Sequence, residues 1–162
     1  MNPLLDDAST RSFINNDVTA EVGLEGKPEK LAVQVLDNNH TTMESSAVDV
    51  VVESMNGKIH HINAYTTSRV TGNMKVINWN EHKQHWPLLK KIQFSQTGPR
   101  PIVDIFIGVD QADLHCSLRD IRGEPEEPIA RLTLLGWTCI GCPYMETQNQ
   151  TNFTFSSMAQ MT

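Results

Sequence analysis

The chain has 162 residues, of which 39% are hydrophobic and 20% are charged, and this length and composition fit one globular domain. Its formal net charge of −6 argues against a nucleic-acid or anionic-membrane surface, because such partners favour clustered Lys and Arg. No apolar run approaches the ~20 residues of a membrane-spanning helix, and the first residues do not read as a signal peptide. We therefore expect a cytoplasmic, intracellular protein without nucleic-acid or membrane partners.

The chain begins with a short apolar segment, Leu4-Leu5, which is followed at once by the acidic pair Asp6-Asp7. These residues alone leave two roles open. A carboxylate could stand at a strand-to-turn junction for acid–base chemistry. Alternatively, Asp7 or Ser9 could cap the N-terminus of a helix, where oxygen acceptors are favoured. Spacing does not separate the two interpretations.

The segment after the acidic pair predicts a short amphipathic helix over residues 11–22. Its apolar positions recur every four residues and so line one face: Ile14, Val18 and Val22. Gly23 and Gly26 follow, and glycine commonly ends a helix. A helix in this position would follow directly on the acidic turn.

Segments rich in β-branched residues predict three strands, over residues 31–36, 47–53 and 58–65. Asn56-Gly57 separates the second strand from the third, and because Asn-Gly favours tight hairpin turns, these two strands are predicted to pair antiparallel. The polar segment 37–46 shows no periodicity and is predicted to be a loop or an extended hairpin tip.

Residues 66–101 are predicted to be a connecting insertion without chemistry. His82 and His85 have the i, i+3 spacing of a metal-binding pair, but no Asp or Glu at suitable spacing completes a site, so a solvated helical face is the better interpretation. Trp79 and Trp86 are expected to pack this insertion onto the core.

The last third of the chain begins with a near-continuous apolar run over residues 101–110, which is typical of a strand buried on both faces. A short helix is predicted over residues 110–118, and a last strand or strand pair over residues 130–140. Residues 143–162 are polar and poor in core residues, which predicts a disordered tail.

The three cysteines make an odd number, so reduced thiols are the default expectation. Cys139 and Cys142 have the spacing of zinc ribbons and redox motifs, but one such pair supplies only two of the four ligands of a structural zinc. His115 and Cys116 could complete such a site. We favour free thiols, and we predict neither a metal nor a cofactor.

Two sequence elements resemble retroviral-type aspartic proteases. LLDDAS is similar to the apolar-apolar-Asp-Ser/Thr-Gly-Ser/Ala catalytic turn, and IFIGVD is similar to the family's second element, an apolar strand that ends in Gly and is followed by an Asp. More specifically, VDIFIGVDQADLHCSLRDIRGEPEEPIARLTLLGWTCIG resembles the protease region of BEL/Pao-type retrotransposon polyproteins. LDDASTRSFI and Trp86-Pro87-Leu88 look like the same family, so the resemblance spans residues 4–142.

This resemblance implies a mainly β fold, a retropepsin-like closed or pseudo-barrel acid protease lobe with one or two short helices, over residues 1–142. It also implies an aspartic endopeptidase that hydrolyses peptide bonds of its polyprotein, in the cytoplasm or in a virus-like particle. One lobe supplies one catalytic Asp, so Asp6 of each copy in a homodimer would form the dyad. The expected partners are a peptide or polyprotein substrate and a second copy of the chain.

The resemblance also assigns supporting roles by position. Around the catalytic turn it implies support from Asp7, Ala8 and Ser9. In the apolar-Gly element the corresponding residues are Ile107, Gly108 and Asp110. A hairpin flap over the substrate is expected at Asp37, Asn38, Asn39, His40 and Thr41. The turn 54–57 is the second choice for the flap.

The chain departs from the family pattern in three ways. Ala8 stands where the family has Gly, so its methyl group is expected to crowd the turn. Asp7 stands at the hydroxyl position and is expected to add repulsion at the dimer centre. Only five residues precede Asp6, so we expect a longer precursor to supply one or more N-terminal strands. The alternative function is therefore a catalytically inactive binding or assembly module, or a transposon remnant.

Overall fold

The computed structural model describes residues 1–34, 40–71 and 74–143, and the backbone of 155–156. In chain order the strands are β1 (Pro3–Leu5), β2 (Ser12–Asn15), β3 (Lys27–Gln34), β4 (His40–Glu53), β5 (Ile59–Thr67), β6 (Val76–Ile77), β7 (Ile105–Ile107), β8 (Arg119–Ile121), β9 (Ile129–Thr133), β10 (Gly136–Ile140) and β11 (Phe155–Ser156). The helices are α1 (Asn16–Val22), α2 (Trp79–His82) and α3 (Ala112–His115). The predicted mainly β class with few short helices is confirmed, and it is consistent with a pepsin-like lobe.

A six-stranded mixed sheet has the order β1-β7-β2-β5-β4-β3. β1 and β2 follow one another in sequence but do not pair with each other, because β7 lies between them, parallel to β1 and antiparallel to β2. The chain that joins β1 to β2 must therefore cross the end of β7. This crossing segment, residues 6–11, contains Asp6 and Asp7.

The helix predicted over residues 11–22 begins later than predicted. Residues Ser12–Asn15 instead form β2, in which Ser12 and Ile14 are buried while Phe13 is less so, and their backbone pairs with β5 and β7. Tertiary pairing overrides the four-residue apolar spacing here. Val22, predicted on the buried face, is 57% exposed. Gly23 ends α1 with a φ of 70°.

The predicted β-branched strands are present, with different ends. β3 begins at Lys27, four residues before the predicted start, and β4 begins at His40 rather than at residue 47. Segment 37–46 was predicted to be a loop or an extended hairpin tip. Its described residues, 40–46, are strand, because they pair with β3 across a long hairpin, which favours the second alternative. The antiparallel pairing of β4 with β5 around Asn56-Gly57 is confirmed.

Two hydrophobic clusters form the core. The first packs the large sheet against α1 and α3, and its buried residues include Ile14, Val18, Val50, Ile62, Ile105, Ile107 and Leu114. The second packs the segment around α2 onto β9 and β10, and contains Ile77, Trp79, Trp86, Leu89, Ile92, Phe94, Ala130 and Cys139. The expectation that the insertion 66–101 packs through its tryptophans is confirmed.

The apolar run predicted as one strand over residues 101–110 contains only three strand residues, Ile105–Ile107. Before it, Asp104 is 2% exposed, and its backbone N–H donates to the carbonyl of Asn2 at 2.9 Å. Asn15 donates from its backbone to the Asp104 carbonyl, also at 2.9 Å. These bonds lie outside a regular ladder, and they tie the start of the chain to β7.

A three-stranded sheet of order β10-β9-β8 follows. Of the last strand or strand pair predicted over residues 130–140, the pair is confirmed as the β9–β10 hairpin. The helix predicted over 110–118 is shorter, with a 3₁₀ turn at Val109–Gln111 before α3. β8 was not predicted, because it is short and charged. Asp120 on β8 accepts hydrogen bonds from Arg131, which hold the pKa of that carboxyl well below its usual range.

The predicted tail 143–162 lies outside the described residues, except for Pro143 and the backbone of β11, which pairs parallel to β6. Among the helices that the structure describes, none is long and apolar enough to cross a membrane.

Candidate active site

Asp6 stands where β1 ends and the crossing segment begins. Its backbone N–H donates to the carbonyl of Ile107 at 3.0 Å, which continues the β1–β7 pairing by one residue. Its side chain is half-buried, and its Oδ1 accepts the N–H of Ala8 at 3.0 Å. The N–H of Ser9 closes the turn onto the Asp6 carbonyl at 3.3 Å. The carboxylate is therefore fixed at a strand-to-turn junction.

Gly108 allows the crossing segment to lie directly on the end of β7. A Cβ at this position would lie 2.6 Å from the carbonyl oxygen of Arg11 and 2.7 Å from that of Ser9. Both neighbours are backbone atoms, so they cannot rotate away. Val109 donates its N–H to the Ser9 carbonyl at 2.9 Å, which holds the two segments together.

Asp110 binds Ser12, the residue that follows the crossing segment. Its two carboxylate oxygens accept the side-chain O–H of Ser12 at 2.9 Å and the backbone N–H of Ser12 at 3.2 Å. The Ser12 hydroxyl in turn accepts the N–H of Gly108 at 3.1 Å. Because both Asp110 oxygens are engaged, this carboxylate is suited to a structural role rather than to acid–base chemistry.

A family model with the description "Putative peptidase (DUF1758)" matches residues 2–124 of the chain. The chain belongs to this peptidase family. The match covers both the Asp6 turn and the β7–Gly108–Asp110 element. No curated protein and no solved structure matched the chain.

Within this peptidase domain the helix-cap interpretation of the acidic pair is wrong. Asn15, not Asp7 or Ser9, occupies the N-cap position of α1, without a side-chain capping hydrogen bond, because β2 separates the turn from the helix. The Ser9 hydroxyl instead donates to the carbonyl of Arg11 at 2.6 Å, which shapes the crossing segment.

Asp7 is 89% exposed and pairs with a residue from the far end of the domain. Its Oδ1 lies 2.8 Å from Nδ1 of His115, the last residue of α3. The sequence reasoning considered His115 only as a zinc ligand beside Cys116. The two residues are 108 positions apart, so no local pattern could have indicated the contact.

Ala8 fits its place in the turn. The described residues include one non-glycine residue with positive φ, and it is Glu126, so Ala8 does not occupy the left-handed region. Its side chain is exposed, and its N–H donates to Asp6. The expected crowding of the turn by the Ala8 methyl group is therefore not found within this lobe.

We expect Ala8→Gly to give no gain in stability. Glycine increases the freedom of the unfolded chain, so this variant should be less stable by about 0.4–1 kcal/mol. Urea unfolding of the two proteins at one pH measures the difference. If the variant were the more stable protein, Ala8 would have to be strained.

The flap prediction falls partly on described residues. His40 and Thr41 are exposed and begin β4, at the outer end of the β3–β4 hairpin, while Asp37, Asn38 and Asn39 lie outside the described residues. The second-choice turn 54–57 is tied down, because Met55 donates its N–H to the Leu134 carbonyl at 2.8 Å. The β3–β4 hairpin therefore remains the better flap candidate.

No group of three or more His, Cys, Asp or Glu in the described part of the chain could hold a metal ion. Cys139 is buried in the second core cluster, where burial raises the pKa of its thiol to about 12. Cys116 is exposed and Cys142 is intermediate. The three thiols therefore differ in solvent exposure.

Proposed function

We propose that the protein is an aspartic endopeptidase in which Asp6 is the catalytic carboxylate. The placement of Asp6 carries the proposal: its half-buried carboxylate lies at a strand-to-turn junction, and β7, Gly108 and Asp110 fix the surrounding backbone. The membership in a peptidase family supports a hydrolytic function. The substrate class is an extended peptide, and the resemblance to BEL/Pao-type sequences points to the chain's own polyprotein.

The second carboxylate of the dyad is expected from a second copy of the chain. Close to Asp6, the carboxylate of Asp7 pairs with His115, and that of Asp110 accepts two hydrogen bonds from Ser12. Neither is placed to share a proton with Asp6. A homodimer would bring two Asp6 side chains together around a two-fold axis.

The proposed chemistry follows from two close carboxylates. They share one proton, because like charges at short range cannot both ionise cheaply. The charged Asp6 accepts a proton from a water molecule as that water attacks the peptide carbonyl. The protonated Asp6 of the other copy donates its proton to the carbonyl oxygen as it gains negative charge. No metal or cofactor is required.

The β3–β4 hairpin is proposed as the flap. β3 is an edge strand of the large sheet, so its outward N–H and C=O groups are not used by a neighbouring strand within that sheet. Near the middle of the hairpin, Lys30 and Glu44 lie opposite each other and are exposed. Such a hairpin could lie over an extended peptide and pair with its backbone.

Mixing wild-type protein with Asp6→Asn protein tests the shared dyad. If mixed dimers are inactive, a threefold excess of the variant should reduce activity per wild-type chain to about one quarter, as random pairing of copies predicts. The assay is cleavage of the parent polyprotein at acidic pH, at concentrations that saturate dimer formation. An equal excess of Asp17→Asn, a change on α1, is the control.

Unchanged activity per wild-type chain after mixing would mean that each Asp6 acts without a second copy. A monomeric wild-type protein that cleaves nothing, including its parent polyprotein, would instead favour the catalytically inactive module. Either result would overturn the dimeric mechanism, and only the second would overturn peptidase activity.

A further inference from the structure

The ring of His115 connects three segments of the candidate active site. Nδ1 lies 2.8 Å from Oδ1 of Asp7, and Nε2 lies 3.0 Å from the carbonyl of Ile107 and 2.9 Å from that of Gly108. The Ile107 carbonyl also accepts the N–H of Asp6. The ring therefore reaches the backbone of Asp6 by two routes, through its neighbour Asp7 and through the shared carbonyl.

Every partner of this ring is a hydrogen-bond acceptor. Carboxylate and carbonyl oxygens carry no proton, so both ring nitrogens must donate for all three contacts to be favourable. A neutral imidazole has one N–H and would leave a lone pair facing an oxygen. The side chain is 13% exposed, so water has limited access to relieve such a contact. The geometry fits the doubly protonated, cationic ring.

The other charges around this contact are already engaged. The pKa of Arg131 on β9 is raised chiefly by its hydrogen bond to Asp120, and the charge of Asp7 contributes less. The two hydrogen bonds between Asp120 and Arg131 are 2.9 and 3.1 Å long. The carboxylate of Asp110 binds Ser12, and Asp113, on the same helix as His115, is exposed. Among the described residues, His115 is the basic side chain that contacts the Asp7 carboxylate directly.

We infer that His115 is a positioning residue of the catalytic turn, whose cationic ring compensates the charge of Asp7 and fixes the backbone on either side of Asp6. The inference rests on the proposed function, because Asp7 matters most where two copies would meet. In a single exposed lobe this pair adds little stability, since an exposed ion pair is weak. At a dimer centre, water is excluded and an unpaired Asp7 would disfavour association.

Nuclear magnetic resonance of the ring N–H groups tests the geometry without any assay of activity. At pH 5.5 we expect two slowly exchanging N–H signals from His115, and Asp7→Asn should shift the Nδ1–H signal. The control is Asp49→Asn, which removes the partner of His61 in an exposed pair with a 2.7 Å contact. The inference would be overturned if His115 gave only one N–H signal, or if Asp7→Asn left the chemical shift of the Nδ1–H signal unchanged.

Activity and dimerisation provide the second measurement. His115→Gln should weaken dimerisation and lower kcat/KM by about 10-fold, and adding Asp7→Asn should restore much of this loss, because contacting residues couple. His61→Gln should stay within about 2-fold of wild type, as a surface change does. If the loss of kcat/KM in the double variant equalled the combined losses of the two single variants, charge compensation would be contradicted.

If His115→Gln does not fold, Asp7→Asn still provides the NMR test, which a merely structural role of the ring would leave unchanged.

The two proposals can fail separately. A wild-type protein without peptidase activity but with two His115 N–H signals that respond to Asp7→Asn would overturn the proposed function and retain the His115–Asp7 contact. An active wild type whose activity and dimerisation are unaffected by either variant would retain the proposed function and overturn the positioning role of His115.

Discussion

Asp6→Asn is expected to lower peptidase activity by about 10³-fold while leaving the fold intact, because it removes the proton transfer that a catalytic carboxylate supplies. The asparagine Oδ1 can still accept the N–H of Ala8, which lies 3.0 Å from Oδ1 of Asp6. The turn should therefore keep its shape. The measurement is kcat/KM for cleavage of the proposed polyprotein substrate, with circular dichroism and urea unfolding as checks on folding.

Asp17→Asn is a suitable control, since Asp17 is an exposed acid on α1. It should retain wild-type activity within about 2-fold, as expected for a surface substitution. Acid-range activity that survives Asp6→Asn would remove Asp6 from the mechanism. If Asp7→Asn alone abolished activity across the whole pH range, Asp7 would be the better candidate for the titrating carboxylate.

Gly108→Ala is expected to destabilise the fold by about 3 kcal/mol or more, which is at the upper end of the cost of overpacking. Gly108 has a φ of −81°, a conformation that alanine adopts readily, so backbone strain does not contribute. The cost comes from the added Cβ, which would lie 2.6 Å from the Arg11 carbonyl oxygen. Relief of this clash requires the crossing segment to move away from β7, which would displace Asp6.

Gly23→Ala is the matched control for Gly108→Ala. Gly23 has a φ of 70° and no atom within 4 Å of an added Cβ, so the substitution tests conformational strain without a clash. It should cost about 1–2 kcal/mol, the usual penalty for a left-handed non-glycine residue. Urea unfolding of both variants gives the comparison. A Gly108→Ala protein as stable as wild type would show that the crossing segment can shift freely.

The sequence was informative where local chemistry determines the structure. The β-branched segments, the Asn56-Gly57 turn and the β9–β10 hairpin all depend on neighbouring residues, and the structure contains all three. The start of the first helix was predicted wrongly. Ser12–Asn15 has an apolar spacing compatible with a helix, but distant strands pair with its backbone on both sides.

The candidate site was predicted in part. The resemblance located Asp6, and the structure places it at a strand-to-turn junction, but its catalytic role stays a prediction. The supporting contacts were not predictable, because Ser12 meets Asp110 across 98 residues and Asp7 meets His115 across 108. From the sequence, Asp7 looked like an unfavourable extra charge, because its partner, His115, is far away along the chain.

The insertion of β7 between β1 and β2 also has a consequence for when the site can exist during synthesis. Gly108 and Ser12, which join the two halves of the turn, are 96 residues apart. A ribosome-bound chain that ends before β7 contains Asp6 and the local hydrogen bonds of its turn, but it lacks β7 and Gly108, on which that turn lies. Contacts so distant in sequence form slowly and late. We therefore expect the nascent chain to remain inactive until β7 has emerged, so the encoded order of the strands delays proteolysis during synthesis.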